Sequence, residues 1–104
     1  MTDQALDNVT TTILRRYSIK PGEWDAFLEV WHRISKVRQR HGFKILFAFV
    51  DKEENMFTWA ISYKGDIDAA GKRYYEDPER VELKVVENYL ADHKVSIVQP
   101  LFIS

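Results

Sequence analysis

Two neighbouring stretches, residues 43–50 and 56–63, alternate at strand period yet carry apolar side chains on both faces. In the first, Phe43, Ile45, Phe47 and Phe49 share one side, and Leu46, Ala48 and Val50 the other. In the second, Phe57, Trp59, Ile61 and Tyr63 oppose Met56, Thr58, Ala60 and Ser62. A sheet with one wetted face alternates apolar and polar residues. These strands therefore read as parts of a sheet covered on both sides. The residues between them, Asp51-Lys52-Glu53-Glu54-Asn55, form a polar hairpin loop, which makes the two strands antiparallel neighbours.

The elements around this hairpin follow from period and punctuation. Residues 10–19 are rich in β-branched side chains and read as a strand, broken by Pro21-Gly22. Over residues 23–41, Trp24, Phe27, Leu28, Trp31, Ile34 and Val37 recur at helical spacing, and Gly42 supplies the stop. After Gly65, Asp66 is placed to cap a second helix reaching residue 76. Asp77-Pro78 restarts the helical pattern, with aspartate as cap and proline at the first helical position, and the restarted helix is expected to run to residue 91. Residues 94–99 are the last strand, with Val95, Ile97 and Leu101 against Val98, and His93 falls in the turn before it. The order β-α-β-β-α-β predicts an α+β, ferredoxin-like sandwich: a four-stranded antiparallel sheet with helices on one face.

Two helices cannot cover both faces of that sheet. The uncovered face is on the order of 400 Å² in plan, a size that marks an interface. A second copy packed sheet against sheet, giving a dimeric α+β barrel, is the economical cover. The 104 residues suffice for one domain, here residues 10–104 behind a flexible tail at 1–9. Fifteen basic against sixteen acidic side chains exclude a polyanion binder that works by bulk charge. The absence of cysteine excludes disulfides, thiolate metal sites and cysteine nucleophiles. No apolar run approaches the ~20 residues of a membrane span, and the polar first nine residues are no secretory signal. A cytoplasmic protein with no membrane and no nucleic-acid partner is expected.

Residues 12–100 resemble the NIPSNAP family, within the dimeric α+β barrel superfamily. The resemblance is carried by Leu14-Arg15-Arg16-Tyr17-Ser18-Ile19-Lys20-Pro21-Gly22, by Trp31, by His41-Gly42-Phe43 and by Phe57-Thr58-Trp59. Tyr74-Tyr75-Glu76-Asp77-Pro78-Glu79-Arg80 completes it. It implies a two-chain barrel with helices outside, the arrangement the residues already suggest. It does not imply one activity, since the superfamily includes oxygenases, haem-modifying enzymes and proteins of no known activity.

Arg15 and Tyr17 fall on one side of the first strand with Ile13. An arginine in a central strand must find a partner: a ligand's anionic or carbonyl group, a structural carboxylate, or water at the sheet rim that its guanidinium can reach. Arg38 and His41 project toward the apolar arc of the first helix, where they could bind a ligand or simply complement the helix dipole. His32 reads as a boundary residue. Aromatic residues, chiefly Trp59 and Tyr74 with Trp24, Trp31, Tyr63 and Tyr75, are core packing in the main, yet numerous enough to line a pocket for a flat apolar ligand. The ligand-binding candidates are thus Arg15, Tyr17, Arg38, His41, Trp59 and Tyr74. The three histidines share no metal-ligand spacing, and no metal or other cofactor is expected. Neither a Gly-x-Ser-x-Gly turn nor a glycine-rich phosphate loop is present. The basic stretch 33–44 could suggest nucleic acid, but most of its charges follow the solvent face of the first helix.

Two functions are compatible with these residues: a metal-free oxygenase- or isomerase-like enzyme acting on an apolar or aromatic small molecule, and a non-catalytic dimeric binding module using the same cleft. A haem-binding or haem-degrading protein is a third. Relatives of that kind carry a histidine ligand on the second helix, and residues 67–76 contain none.

Overall fold

The computed structural model of the protein describes residues 8–101. Strand β1 (Thr10–Ile19) leads into helix α1 (Trp24–Arg40), followed by the hairpin of β2 (Lys44–Asp51) and β3 (Met56–Lys64). Helix α2 (Ile67–Glu76), the short helix α3 (Pro78–Glu82) and a 3-10 turn over Leu83–Tyr89 lead to β4 (Leu90–Val98). The sheet order is β2-β3-β1-β4 with every neighbouring pair antiparallel, which is the ferredoxin-like α+β arrangement. Most of the proposed tail at 1–9 lies outside the described residues; Val9, at its end, accepts a backbone hydrogen bond from Gly65 at 2.8 Å.

The core lies between the sheet and α1. Phe27, Trp31, Ile34 and Val37 from the helix meet Tyr17, Phe57, Trp59 and Ile61 from β1 and β3, all buried. The rings pack edge to face, with Phe27 on Phe57 at 4.9 Å and Trp31 on Trp59 at 5.4 Å between centroids. Asn55, at φ 54°, closes the hairpin and accepts from the Trp24 indole at 2.9 Å, tying the loop to the start of α1. Gly42 ends α1 at φ 89°, and a Cβ there would meet the Tyr63 ring at 3.0 Å. Glycine is thus required twice over, by conformation and by space.

Asp66 caps α2 by accepting from the Ala69 amide, as the sequence predicts, and Asp77 caps α3 by accepting from the Glu79 amide. Asp77 also receives Arg40 at 2.9 Å and His41 at 2.7 Å. These two partners hold its carboxyl well below the usual carboxylate range. The kink between α2 and α3 is therefore pinned to the end of α1.

Four sequence expectations need correction. The restarted helix ends at Glu82 rather than 91, because Leu83 and Val86, the two buried residues of this stretch, are three apart and fit the 3-10 period, while Val81 and Val85 are exposed. The last strand accordingly starts at Leu90, opposite Ile19, and ends at Val98, so that His93 lies in the strand opposite Tyr17 and Leu101 lies beyond it. Third, β2 carries a bulge at Leu46: Ile45 pairs with Ile61, but Phe47 pairs with Ala60. The extra residue exchanges the faces of the rest of the strand. Phe47 and Phe49 therefore lie on the face away from the helices, stacked at 5.0 Å, and Ala48 and Val50 share the face of Trp59 and Phe57. Fourth, the outer face is mixed rather than uniformly apolar. One row runs Phe47–Ala60–Leu14–Ser96, the next Phe49–Thr58–Arg16–Lys94.

Candidate ligand cleft

Residues at odd positions of β1 face the helices, which sends Arg15 and Tyr17 inward beside Trp59. The Arg15 Nε donates to the Tyr17 hydroxyl at 2.9 Å, and its guanidinium lies 5.8 Å from the Trp59 ring centroid. Arg38 comes from α1, one turn after Ile34 on the buried stripe, and is only 3% exposed. Its guanidinium sits 3.7 Å from the Tyr74 ring centroid and 4.7 Å from that of Phe43, so a cation is buried against aromatic faces. Arg80 approaches the Tyr74 and Tyr75 rings from α3, at 5.4 and 5.1 Å.

Tyr75 joins these cations. Its hydroxyl accepts from Arg15 Nη2 at 3.4 Å and from Arg38 Nη2 at 3.2 Å. Burial raises its proton affinity, but Arg15 and Arg38 together outweigh burial and hold the phenol below its ordinary pKa. Burial pushes Arg38 down, with Arg15 adding like-charge repulsion, and the same burial pushes the Tyr74 hydroxyl up. Arg15 also loses hydration, yet the hydroxyls of Tyr17 and Tyr75 hold it above its ordinary value. Among the described residues no carboxylate forms an ion pair with Arg15, Arg38 or Arg80. The structural carboxylate considered for Arg15 is replaced by phenols.

The space follows the same residues. A void of ≈20 Å³ lies among Trp31, Arg38, Trp59, Tyr74 and Arg80. Arg15, Tyr17, Tyr75, Arg80 and Val86 line both this void and a neighbouring cleft of ≈590 Å³, to which Glu87, Leu90, Ala91, Asp92 and His93 are added. Four buried donors on residues that line the void have no hydrogen-bond partner among the described residues: the indole N–H groups of Trp31 and Trp59, and Nε of Arg38 and of Arg80.

Five of the six sequence candidates meet here: Arg15, Tyr17, Arg38, Trp59 and Tyr74. His41 stands apart, on Asp77. Tyr75, named among the aromatics that could line a pocket but not among the six, joins them, and so does Arg80, which the sequence does not single out as a ligand residue. Adjacent positions on a helix point about 100° apart, so of Tyr74-Tyr75 one had to turn into the core and the other toward the cleft. That signal was present. Arg80 lies beyond the kink, where no helical period carries across, and its placement depends on Asp77.

No family model matches the sequence, and no curated protein matches it. Solved structures do match. An uncharacterised NIPSNAP domain protein from Burkholderia xenovorans superposes with a TM-score of 0.75 at 15% identity, over 88% of this chain and 94% of that one. A NIPSNAP family protein of unknown function from Agrobacterium tumefaciens gives 0.77 at 17% identity, over 91% of each chain. A candidate antibiotic biosynthesis monooxygenase from Bacteroides thetaiotaomicron gives 0.74 at 21% identity, over 93% of each. The chain has the α+β fold of NIPSNAP-domain proteins and of these monooxygenase-like proteins.

Proposed function

We propose that this protein binds a small molecule with an apolar or aromatic body in the cleft between the sheet and α2–α3. The observation that carries this reading is the convergence of Arg15 and Arg80 with Tyr17 and Tyr75 on a cleft of ≈590 Å³, with Arg38 at the ≈20 Å³ void that shares those residues, and no carboxylate among the described residues paired to any of the three cations. Structural arginines are ordinarily neutralised within the fold; a buried guanidinium left to phenols is better matched to charge brought by a ligand. The likeness to a candidate monooxygenase favours a metal-free oxygenase- or isomerase-like reaction on such a molecule, the arginines stabilising negative charge that develops on it. The working unit we propose is a homodimer joined through the outer sheet face. Phe47 is 38% and Phe49 64% exposed there, with Leu14 in the same row as Phe47 across Ala60.

Native mass spectrometry of the protein as purified is expected to show one organic molecule of defined mass per chain. Removal of that mass by dialysis should lower the melting temperature. A ligand-free spectrum at every preparation, with no stabilisation by aromatic small molecules, would favour a non-catalytic interaction module.

A further inference from the structure

The void and the cleft differ in chemistry, and the difference specifies a ligand with two unlike ends. The inner end is cationic and donor-rich: Arg15, Arg38 and Arg80 with two indole N–H groups, four of whose N–H donors are buried without a partner. The cleft shares Val86 with the void and adds apolar Leu90 and Ala91 together with the carboxylates Glu87 and Asp92 and with His93. A second negative charge on the ligand would face those carboxylates. Among the described residues the Tyr75 hydroxyl is the acceptor that Arg15 and Arg38 share, and Tyr75 is 46% exposed.

We infer that the cleft takes an organic monoanion, a carboxylate or enolate on an apolar body, whose charged oxygen replaces the Tyr75 hydroxyl between Arg15 and Arg38. This rests on the cleft reading above and adds the charge and the orientation of the ligand. A neutral phenol is a weak acceptor for two guanidiniums, and an anionic oxygen makes shorter, charge-assisted bonds to both. Tyr75 can yield its place because half of its surface already faces solvent. The void behind it has the size of a single oxygen-centred group. The second oxygen of a carboxylate would fit there, among the residues that carry the unpartnered donors.

The test titrates the intact protein with 2-naphthoate and with its neutral isostere 2-naphthamide by calorimetry. The acid is expected to bind roughly tenfold tighter than the amide or better, the scale of one hydrogen bond to a charged group. Arg15→Met and Arg38→Met should each remove most of that preference. Arg15→Lys, which keeps the charge and loses the planar fork, should retain part of it. Tyr75→Phe should strengthen acid binding several-fold, because no hydroxyl then competes for the arginines. Equal affinity for acid and amide overturns the anion inference and leaves the cleft reading standing. Binding of neither compound overturns both. An acid preference that survives both methionine variants places the anion elsewhere, and weaker acid binding by Tyr75→Phe overturns the exchange of hydroxyl for anion.

Discussion

Arg38→Met is expected to raise the melting temperature by roughly 5–10 °C while weakening ligand binding. The sign follows from the burial of Arg38 with no carboxylate partner among the described residues. Its pKa is depressed in the folded chain, chiefly by lost hydration, so the charged form is less favourable folded than unfolded. A group of this kind subtracts stability at every pH at which it is charged in the unfolded chain, which for arginine covers the whole working range. Methionine fills a similar volume, keeps the contacts with Phe43 and Tyr74 and removes the charge. The attraction to the Tyr74 face offsets part of the cost in the wild type, which is why the gain is moderate. Differential scanning calorimetry of the two proteins without added ligand decides it. A lower melting temperature in the variant would make Arg38 a structural cation, retained for its aromatic contacts. Stability given up at a binding group is the expected signature of a functional site.

Phe47→Asp is expected to turn a dimer into a monomer. In light scattering at micromolar concentration the wild type should have a mass near twice 12.3 kDa, and the variant a mass near that value. Phe47 lies on edge strand β2, 38% exposed and stacked on Phe49, so a single chain can hydrate an aspartate there without losing its core. In a two-fold symmetric interface each substitution appears twice, which should weaken association by at least roughly 100-fold. Far-ultraviolet circular dichroism should be unchanged. A wild type that runs as a monodisperse monomer would refute the dimer, and a variant that stays dimeric would refute this face. Ala48, which simple alternation places on the same outer face, belongs to the helix side after the bulge, so a charge at that position does not test the interface.

The inward face of β1, the apolar stripe of α1 and the caps Asp66 and Asp77 were legible because each depends on a local rule: period two, period 3.6, and a side chain that accepts from a free amide. Arg38 was legible for the same reason, as the next turn of the stripe after Ile34. What could not be read depended on one extra residue or on a change of period. The bulge at Leu46 leaves no mark in a stretch apolar at every position from Ile45 to Val50, since either register buries a hydrophobic face. The 3-10 turn after Glu82 hides in a run whose valines suit a helix and a strand almost equally. That turn carries Val86 and Glu87 to the cleft, and the strand that follows brings Leu90, Ala91, Asp92 and His93, so the outer half of the site was hidden along with it. The donors without partners are a property of packing in three dimensions and have no sequence signature.

The chain's three tryptophans offer the most direct test of where the ligand sits. Trp31 and Trp59 line the void, and their buried indole N–H groups have no partner among the described residues, while the Trp24 indole donates to Asn55 at the hairpin. A nitrogen–proton correlation spectrum recorded during titration with 2-naphthoate resolves all three indoles at once. The Trp31 and Trp59 signals are expected to move in a saturable manner with one common affinity, and the Trp24 signal to stay in place. A saturable shift at Trp24 alone, or binding with all three indoles unmoved, would contradict a ligand site between the sheet and the helices.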